Sequence, residues 1–328
     1  MMIYIHFPLP EAERDLLTQA LQTGVSSPDS SSPGVSTDTD TCVWGQDLPA
    51  AQRKEAFLQA EVVFGNPPAD WWAESRNLRW VQLYSAGFDP YLALDWTRPE
   101  LQSVTVTNLR GFFGQPVAET AVAGVMALYR KIDELARLQA QSRWVGGELR
   151  PQMNLLYRKR VLVLGAGAIG ETIMKILRGF DCHVTLVRRS QAPTVEDLDE
   201  LLPEADIIMA ALPDTEETKN TLSAQRLALM KPSAVVVNVG RGSAIDEPAL
   251  TDALQHNRLA GAVLDVTYQE PLPGESPLWS MTNVLLTQHT GGGYAEENAD
   301  KVRVFLRNLD RYRAGEPLEN VVDFSRGY

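Results

Sequence analysis

The chain has 328 residues, of which 44% are hydrophobic and 22% are charged, as is typical of a globular protein with about two domains. The formal net charge of −12 and the pI of about 4.9 predict a surface that repels nucleic acid, so we expect no nucleic-acid partner. The sequence shows no charged-then-apolar leader and no apolar run of about 18 residues, so we expect no membrane partner and a cytoplasmic location.

The first third of the chain alternates short apolar runs with helical patterns, which predicts a small parallel α/β domain. The Ser-, Pro- and Asp-rich run Gly24–Thr41 interrupts it and predicts a surface loop. The predicted strands are Ile3–Phe7, Val62–Gly65, Trp80–Tyr84 and Val104–Thr107, and the predicted helices are Glu11–Leu21, Ala50–Ala60 and Trp71–Ser75.

A long helical pattern follows. Apolar residues recur every three or four positions through Gln115–Gln141, which predicts a single amphipathic helix of about seven turns. A helix of this length can bridge two domains or present an arm to another subunit. Trp144–Tyr157 is predicted to be an irregular linker.

A second α/β pattern begins at Arg160 and predicts a doubly wound parallel sheet of six strands. A helix is predicted at Asp246–His256, with Asp246 marking its start, and another at Ala295–Ala314 before a tail at Val321–Tyr328. The predicted strands are Arg160–Leu164, His183–Val187, Ile207–Ala211, Ala234–Val239, Gly261–Asp265 and Val284–Thr287.

The first of these strands runs into the segment Gly165-Ala166-Gly167-Ala168-Ile169-Gly170, which has the spacing G-x-G-x-x-G before a helical run. In a strand–turn–helix unit the first glycine allows the turn, the second lets the backbone approach a pyrophosphate, and the third lets the helix pack on the strand. The segment therefore predicts a dinucleotide site. The alternative is a glycine-rich turn that binds nothing.

The second strand of this unit ends in Arg188-Arg189-Ser190, where a carboxylate for the ribose 2′-OH of NAD is expected. Guanidinium groups bind phosphate oxygens bidentately, so these residues favour the 2′-phosphate of NADP(H) over NAD(H) as cofactor. The alternative is a solvated loop with no ligand.

Arg241, Glu270 and His289 each follow a predicted strand of the second unit, where doubly wound sheets gather their ligands. Singly, each has a simpler interpretation as a surface charge, a loop acid or a packing residue. Together they suit keto acid reduction, which needs a cation for the carboxylate, a hydride donor and a proton donor. A carboxylate beside the imidazole would fix its tautomer and favour its protonated form, ready for general acid catalysis.

These three residues, with the strings GAGAIG and VNVGRG before them, resemble the D-isomer-specific 2-hydroxyacid dehydrogenase family from about Ser85 to the end of the chain. The string EPLPGESPLW at Glu270–Trp279 and the ending Arg326-Gly327-Tyr328 are similar to its glyoxylate/hydroxypyruvate reductase A branch. The resemblance implies two Rossmann-like doubly wound domains. A cofactor domain, residues 108–293, would be inserted into a split flavodoxin-like substrate domain, residues 1–107 plus 294–328, and a homodimer would form through the cofactor domains.

The resemblance also implies roles for single residues. Arg241 would bind the substrate carboxylate and keto oxygen, His289 would donate the proton, and Glu270 would pair with His289. The loop Ser85-Ala86-Gly87 would present backbone N–H groups to the substrate carboxylate. Asp265 would bind the nicotinamide carboxamide, and the other residues implied to line the cofactor are Leu212, Pro213, Val239, Gly240, Gly291, Asn108 and Val117.

Two features depart from the family pattern. Gln288 stands where the family commonly has proline before its catalytic histidine, and the loop after His289 reads Thr-Gly-Gly-Gly, more flexible than is typical. Neither removes a catalytic group, but both bear on the geometry of that loop.

The function we expect is NADPH-dependent reduction of a small 2-keto acid, of glyoxylate or hydroxypyruvate type, to the D-2-hydroxy acid. One alternative is a reductase for larger acids such as phenylpyruvate or 2-ketogluconate, with Trp44, Phe88 and Trp279 lining a wider pocket. A second is a non-catalytic dinucleotide sensor. Cys42 and Cys182 lie in no metal-ligand pattern, so we expect two free packing thiols and no metal.

Overall fold

A computed structural model describes residues 1–23 and 40–324, so most of the predicted loop Gly24–Thr41 and the ending Arg326-Gly327-Tyr328 lie outside the described residues. The chain divides into two compact units, unit 1 (Met1–Phe112 with Tyr294–Tyr328) and unit 2 (Phe113–Gly293). The sequence places the first boundary after residue 107. The structure places it after Phe112, because the N–H groups of Asn108 and Leu109 donate to carbonyls of unit 1.

Strands and helices alternate along the described residues. The strands are β1 (Met2–Ile5), β2 (Thr41–Trp44), β3 (Val62–Phe64), β4 (Trp80–Gln82), β5 (Thr105–Thr107), β6 (Arg160–Leu164), β7 (His183–Val187), β8 (Ile207–Ala210), β9 (Val235–Asn238), β10 (Gly261–Leu264) and β11 (Val284–Leu286). The helices are α1 (Glu11–Thr23), α2 (Ala50–Gln59), α3 (Ala69–Trp72), α4 (Pro99–Gln102), α5 (Gly114–Tyr129), α6 (Ile132–Ala140), α7 (Ala168–Arg178), α8 (Leu198–Leu201), α9 (Ala224–Leu229), α10 (Glu247–Gln255) and α11 (Glu297–Arg313).

Unit 1 is built on a five-stranded parallel sheet in the order β2-β1-β3-β4-β5. Strand β2 was not predicted from the sequence; it pairs with β1 from Met2 opposite Thr41 to Ile5 opposite Trp44. The last helix, α11, covers this sheet, and the ring of Phe305 stacks on Phe64 with ring centroids 4.5 Å apart. The C-terminal helix therefore belongs to the core of unit 1.

Unit 2 is built on a six-stranded parallel sheet in the order β11-β10-β9-β8-β6-β7. Alternate residues of each strand pack into separate cores on the two faces: in β6, Leu162 and Leu164 lie on one face and Val161 and Val163 on the other. Parallel strands covered on both faces are apolar throughout, which explains the continuous apolar runs in the sequence. The prediction of two doubly wound parallel sheets is confirmed.

The prediction of one helix over Gln115–Gln141 is wrong. The chain forms two helices, α5 and α6, separated at Lys131, whose φ of 56° lies in the left-handed region. The carbonyl of Tyr129 accepts a hydrogen bond from the N–H of Asn154 at 2.7 Å, so the following linker satisfies a carbonyl at the end of α5. Apolar spacing continues across the break because both helices keep an apolar face.

Three findings on cysteines, metal sites and membrane spans are limited to the described residues. Cys42 and Cys182 are free thiols, and burial raises the pKa of Cys42 to about 12. In residues 1–23 and 40–324 no cluster of His, Cys, Asp or Glu could hold a metal ion. None of the helices in this part of the chain is both long and apolar enough to span a bilayer.

Candidate active site

The glycine turn after β6 fits a phosphate-bearing ligand. Gly165 has φ of 106°, and a Cβ there would lie 2.6 Å from the Ala211 carbonyl oxygen. A Cβ on Gly170 would lie 1.9 Å from the Gly165 carbonyl oxygen, so α7 packs directly on the turn. A Cβ on Gly167, in contrast, would meet no atom within 4 Å. Packing therefore requires glycine at positions 165 and 170. Gly167 instead leaves open space beside the N-terminus of α7.

This turn lies at the point where the order of the sheet reverses. From β6 the chain adds β7 on one side, and then β8 on the other. Ligands of open α/β sheets bind beyond the carboxyl ends of the strands at such a point. Leu212 and Pro213 follow β8, and a Cβ on Gly240 would lie 2.5 Å from the backbone N of Leu212, so the loops after β8 and β9 are in contact.

The three polar residues predicted to bind a 2′-phosphate follow β7, which neighbours β6 in the sheet. The backbone N–H of Arg188 donates to the Pro193 carbonyl at 2.9 Å, and Ser190 is exposed. The guanidinium of Arg189 pairs with Glu217 in the loop after β8, with Nη2 and Oε1 2.9 Å apart. Glu217 was not predicted as part of any site.

Arg241 lies in a loop that Asn238 holds in place. The Oδ1 atom of Asn238 accepts from the N–H of Gly240 at 3.2 Å, and its Nδ2 donates to the Arg241 carbonyl at 3.0 Å. Arg241 is half-buried, and its Nη1 donates to the Gly240 carbonyl at 2.9 Å. Sequence reasoning missed Asn238, although Asn side chains commonly bond the backbone two residues on, and this spacing was the available signal.

The loop of Arg241 packs against the loop that carries Glu270. A Cβ on Gly242 would lie 2.0 Å from the carbonyl oxygen of Thr267. The N–H of Thr267 in turn donates to Oε1 of Glu270 at 3.1 Å, which fixes one oxygen of that carboxylate. The ends of β9 and β10 are thereby held together through backbone contact.

His289 and Glu270 form a hydrogen-bonded pair. Nδ1 of His289 lies 2.6 Å from Oε2 of Glu270, and the imidazole is 55% exposed. Since Nδ1 faces the carboxylate, Nε2 is the ring nitrogen available for proton transfer. Arg241, Glu270 and His289 follow β9, β10 and β11, which are successive neighbours in the sheet.

Asp265 organises the loop that presents His289. It is 4% exposed, and its Oδ1 accepts hydrogen bonds from Thr287 Oγ1 at 2.6 Å and from the N–H groups of Thr290 and Gly291 at 3.1 and 3.0 Å. Its carbonyl accepts from the N–H of His289 at 2.6 Å. The glycine-rich sequence after His289 is therefore tied to a buried carboxylate at its first turn.

The backbone conformation at position 288 explains why glutamine and not proline precedes His289. Gln288 and His289 have φ of 52° and 55°, two consecutive left-handed residues that are not glycine. Proline is fixed near φ of −65° and could not adopt this conformation. Such conformations are uncommon outside glycine and cluster at functional sites.

The loop Ser85–Gly87 lies in unit 1 at the carboxyl end of β4. Asn66 holds it, since Nδ2 donates to Ser85 Oγ at 2.9 Å and Oδ1 accepts from the N–H of Tyr84. The side chain of Asn108 donates to the Ala86 carbonyl at 2.6 Å. Among the described residues, nothing accepts a hydrogen bond from the N–H groups of Ser85, Ala86 and Gly87.

Asn108 and Val117 were also predicted to line the cofactor. Asn108 lies in unit 1, and Val117 is buried on α5 of unit 2.

Comparison with known proteins identifies the family. The model of the D-isomer specific 2-hydroxyacid dehydrogenase NAD binding domain matches residues 122–291, within unit 2. The chain belongs to this family. The resemblance drawn from Arg241, Glu270, His289 and the glycine turn is thus confirmed, and the chain is an oxidoreductase of the D-2-hydroxyacid dehydrogenase class.

Relatives within the 2-hydroxyacid dehydrogenase family differ in the acids they are named for. The hydroxyphenylpyruvate reductase of Plectranthus scutellarioides is 32% identical over 280 residues, covering 82% of this chain and 88% of that protein. The glyoxylate/hydroxypyruvate reductase B of Pectobacterium carotovorum is 32% identical over 281 residues, covering 82% and 87%. A family member from Xanthobacter autotrophicus Py2, solved with NADPH and MES, superposes with a TM-score of 0.75 at 28% identity and covers 100% of this chain and 99% of its own.

Proposed function

We propose that this dehydrogenase reduces a small 2-keto acid, of glyoxylate or hydroxypyruvate type, to the D-2-hydroxy acid and prefers NADPH to NADH. The observation that carries the proposal is the 2.6 Å hydrogen bond between His289 Nδ1 and Glu270 Oε2. A proton donor needs a fixed tautomer and a partner for its charged form, and Glu270 provides both. The relatives named for glyoxylate and hydroxypyruvate support the substrate class.

In this proposal His289 holds a proton at Nε2 and donates it to the keto oxygen as negative charge develops there. Glu270 stabilises the imidazolium before the transfer and keeps Nδ1 protonated after it. Arg241 binds the substrate carboxylate and adds positive charge beside the keto oxygen. Within unit 1, the N–H groups of Ser85–Gly87 have no acceptor in the described residues and are available to bind an anion.

The nicotinamide cofactor supplies the hydride when bound. Its pyrophosphate would lie at the Gly165–Gly170 turn, where Gly167 leaves open space, and Leu212–Pro213, Val239–Gly240, Asp265 and Gly291 would line the same edge of the sheet. Arg188, Arg189 and Ser190 would bind the 2′-phosphate, which favours NADPH. The relative solved with NADPH supports a cofactor of this kind.

NADPH oxidation with a panel of 2-keto acids tests the proposal. We expect turnover of glyoxylate and hydroxypyruvate, with a higher kcat/KM for NADPH than for NADH. His289→Asn should lower kcat by about 10² to 10⁴-fold with NADPH binding unchanged, because only the proton donor is lost. Arg241→Ala should lose most of kcat/KM. Full kcat in His289→Asn refutes the general acid role, and tight NADPH binding without turnover of any acid favours a sensor.

A reductase for larger acids is the second candidate. The hydroxyphenylpyruvate reductase that is 32% identical to this chain favours it, since that acid carries an aromatic ring. The same panel separates the two candidates, because a higher kcat/KM for phenylpyruvate and hydroxyphenylpyruvate than for glyoxylate would select the larger class.

Unit 2 is proposed as the cofactor domain, unit 1 as the substrate domain, and a homodimer through unit 2 as the working form. Several large apolar side chains on α6 and in the following linker are exposed, with Trp144 at 95%. Apolar side chains concentrated on one segment commonly mark a protein interface. The exposed set is Ile132, Leu135, Trp144, Leu155 and Tyr157. Light scattering should give twice the 36.3 kDa chain mass, and Trp144→Glu should shift it towards the monomer.

A further inference from the structure

The ion pair between Arg189 and Glu217 spans the glycine turn. Arg189 follows β7 and Glu217 lies in the loop after β8, and these two strands flank β6 on either side. The guanidinium Nη2 and the carboxylate Oε1 are 2.9 Å apart. The pair therefore connects the two loops on either side of the turn predicted to bind the pyrophosphate.

The backbone around Glu217 is held by its neighbours. Thr218 Oγ1 donates to the Pro213 carbonyl at 2.6 Å and accepts from the N–H of Thr215 at 3.0 Å. The N–H of Lys219 donates to the Thr215 carbonyl at 3.1 Å. The loop after β8 is thus a closed turn that presents Glu217 towards Arg189.

The ion pair between Arg189 and Glu217 adds little to the stability of the fold, so stability does not explain why the two residues are placed together. Both side chains are well exposed, at 60% and 66%, and exposed ion pairs contribute little to folding. The pair places a carboxylate instead against a guanidinium that, in the proposed function, binds the ribose 2′-phosphate. A carboxylate and a phosphate compete for the same bidentate donors of arginine.

We propose that Glu217 is a specificity-determining residue, whose carboxylate competes with the cofactor's 2′-phosphate for Arg189 and so limits the preference for NADPH over NADH. The inference rests on the proposed preference for NADPH. A phosphate monoester carries close to two negative charges at neutral pH, so a neighbouring carboxylate repels it. NADH carries a neutral hydroxyl at that position, so its affinity should depend much less on the same charge.

Glutamine at position 217 keeps the size of the side chain and removes its charge. We expect Glu217→Gln to raise the affinity for 2′,5′-ADP about three- to tenfold and to change the affinity for 5′-AMP less than about twofold. These two probes differ by the 2′-phosphate alone. Isothermal titration of the intact protein with each probe gives both affinities without depending on turnover.

Glu216 is the matched control. It lies in the same turn, is exposed and pairs with Lys219 rather than with Arg189. Glu216→Gln removes the same charge from the neighbouring residue, so we expect it to change the affinity for 2′,5′-ADP less than about twofold. An equal gain in both variants would overturn the inference, because it would reveal a general effect of net charge.

Arg189→Ala separates failure of the inference from failure of the proposed function. If the unsubstituted protein prefers 2′,5′-ADP and Arg189→Ala removes the preference, the NADPH site stands, and an unchanged or weaker affinity in Glu217→Gln overturns the role of Glu217 alone. If the unsubstituted protein binds both probes equally and Arg189→Ala changes neither affinity, the proposed preference for NADPH is overturned and the inference with it.

Discussion

Gly242 and Thr267 approach each other more closely than any side chain at position 242 would allow, since a Cβ there would lie 2.0 Å from the Thr267 carbonyl oxygen. The contact joins the loop of Arg241 to the loop of Glu270. Gly242→Ala must displace one of these loops, and a displacement of about 1 Å can cost about 10²-fold in rate. We expect kcat with a 2-keto acid to fall at least about tenfold while NADPH binding, measured by fluorescence titration, is retained.

Gly274 provides the control for this substitution. It lies in the same segment after β10, and a Cβ there would meet no atom within 4 Å. Gly274→Ala should keep kcat within about twofold, because it displaces nothing. Equal activities of the two alanine variants would show that the contact between the loops has no part in positioning Arg241 and Glu270.

Glu270→Gln tests the pair with His289. The amide keeps the shape of the side chain but removes the negative charge that lies beside Nδ1 of His289 and stabilises a positive charge on the imidazole. We expect the pH profile of kcat/KM for keto acid reduction to move to lower pH, since the reaction consumes that proton. The profile is measured with NADPH from pH 5 to 9. A profile that does not move would mean that Glu270 acts on His289 only through its position.

The grouping of Arg241, Glu270 and His289 was predictable because the carboxyl ends of parallel strands meet at one edge of a sheet. Arg241, Glu270 and His289 follow successive neighbours, so strand assignment alone groups them. Asn238 and Glu217 were not predicted, since their roles depend on contacts with backbone or with another loop. Those contacts can be identified only from the three-dimensional structure of the loops.

Two errors in the secondary structure have physical causes. β2 is a short edge strand, and it follows a run of turn-forming residues that hides its four-residue signal. The break between α5 and α6 is invisible to hydrophobic periodicity, because the left-handed residue at the break is a lysine, not the glycine that usually ends a helix there.

That lysine yields a prediction about stability. A left-handed conformation costs about 1–2 kcal/mol for a residue with a Cβ, whereas glycine adopts it freely. After the greater entropy of glycine in the unfolded chain is subtracted, Lys131→Gly should stabilise the fold by about 0.5–1 kcal/mol and raise the Tm by about 1–3 °C. Arg130→Gly is the control: its φ of −95° suits any residue, so glycine there should lower the Tm. A fall in both variants would show that Lys131 is not strained.

Asp206 predicts how the stability of unit 2 depends on pH. Burial raises the pKa of this carboxyl. The N–H of Arg160 and the ammonium of Lys231 together lower the pKa by more than burial raises it, so the pKa lies below its ordinary value of 3.8. A carboxyl whose pKa is lowered by folding stabilises the protein above its unfolded pKa, and this contribution is lost as the pH falls through the folded value. Asp206→Asn should therefore cost about 1 kcal/mol in urea unfolding at pH 7, and the difference from the unsubstituted protein should narrow below about pH 4.

Glu204→Gln separates this effect from a general loss of surface charge. Glu204 pairs with the side chain of Arg160 at the same end of the sheet, but both partners are more than half exposed, so its removal should cost less than about 0.5 kcal/mol at any pH. Asp206 differs because it is 23% exposed and bonds a backbone N–H and an ammonium. Urea midpoints of both variants at pH 7, 5, 4 and 3 make the comparison. If Asp206→Asn loses the same stability at the lowest pH at which both proteins still fold, the amide disturbs packing and the charge of Asp206 contributes nothing.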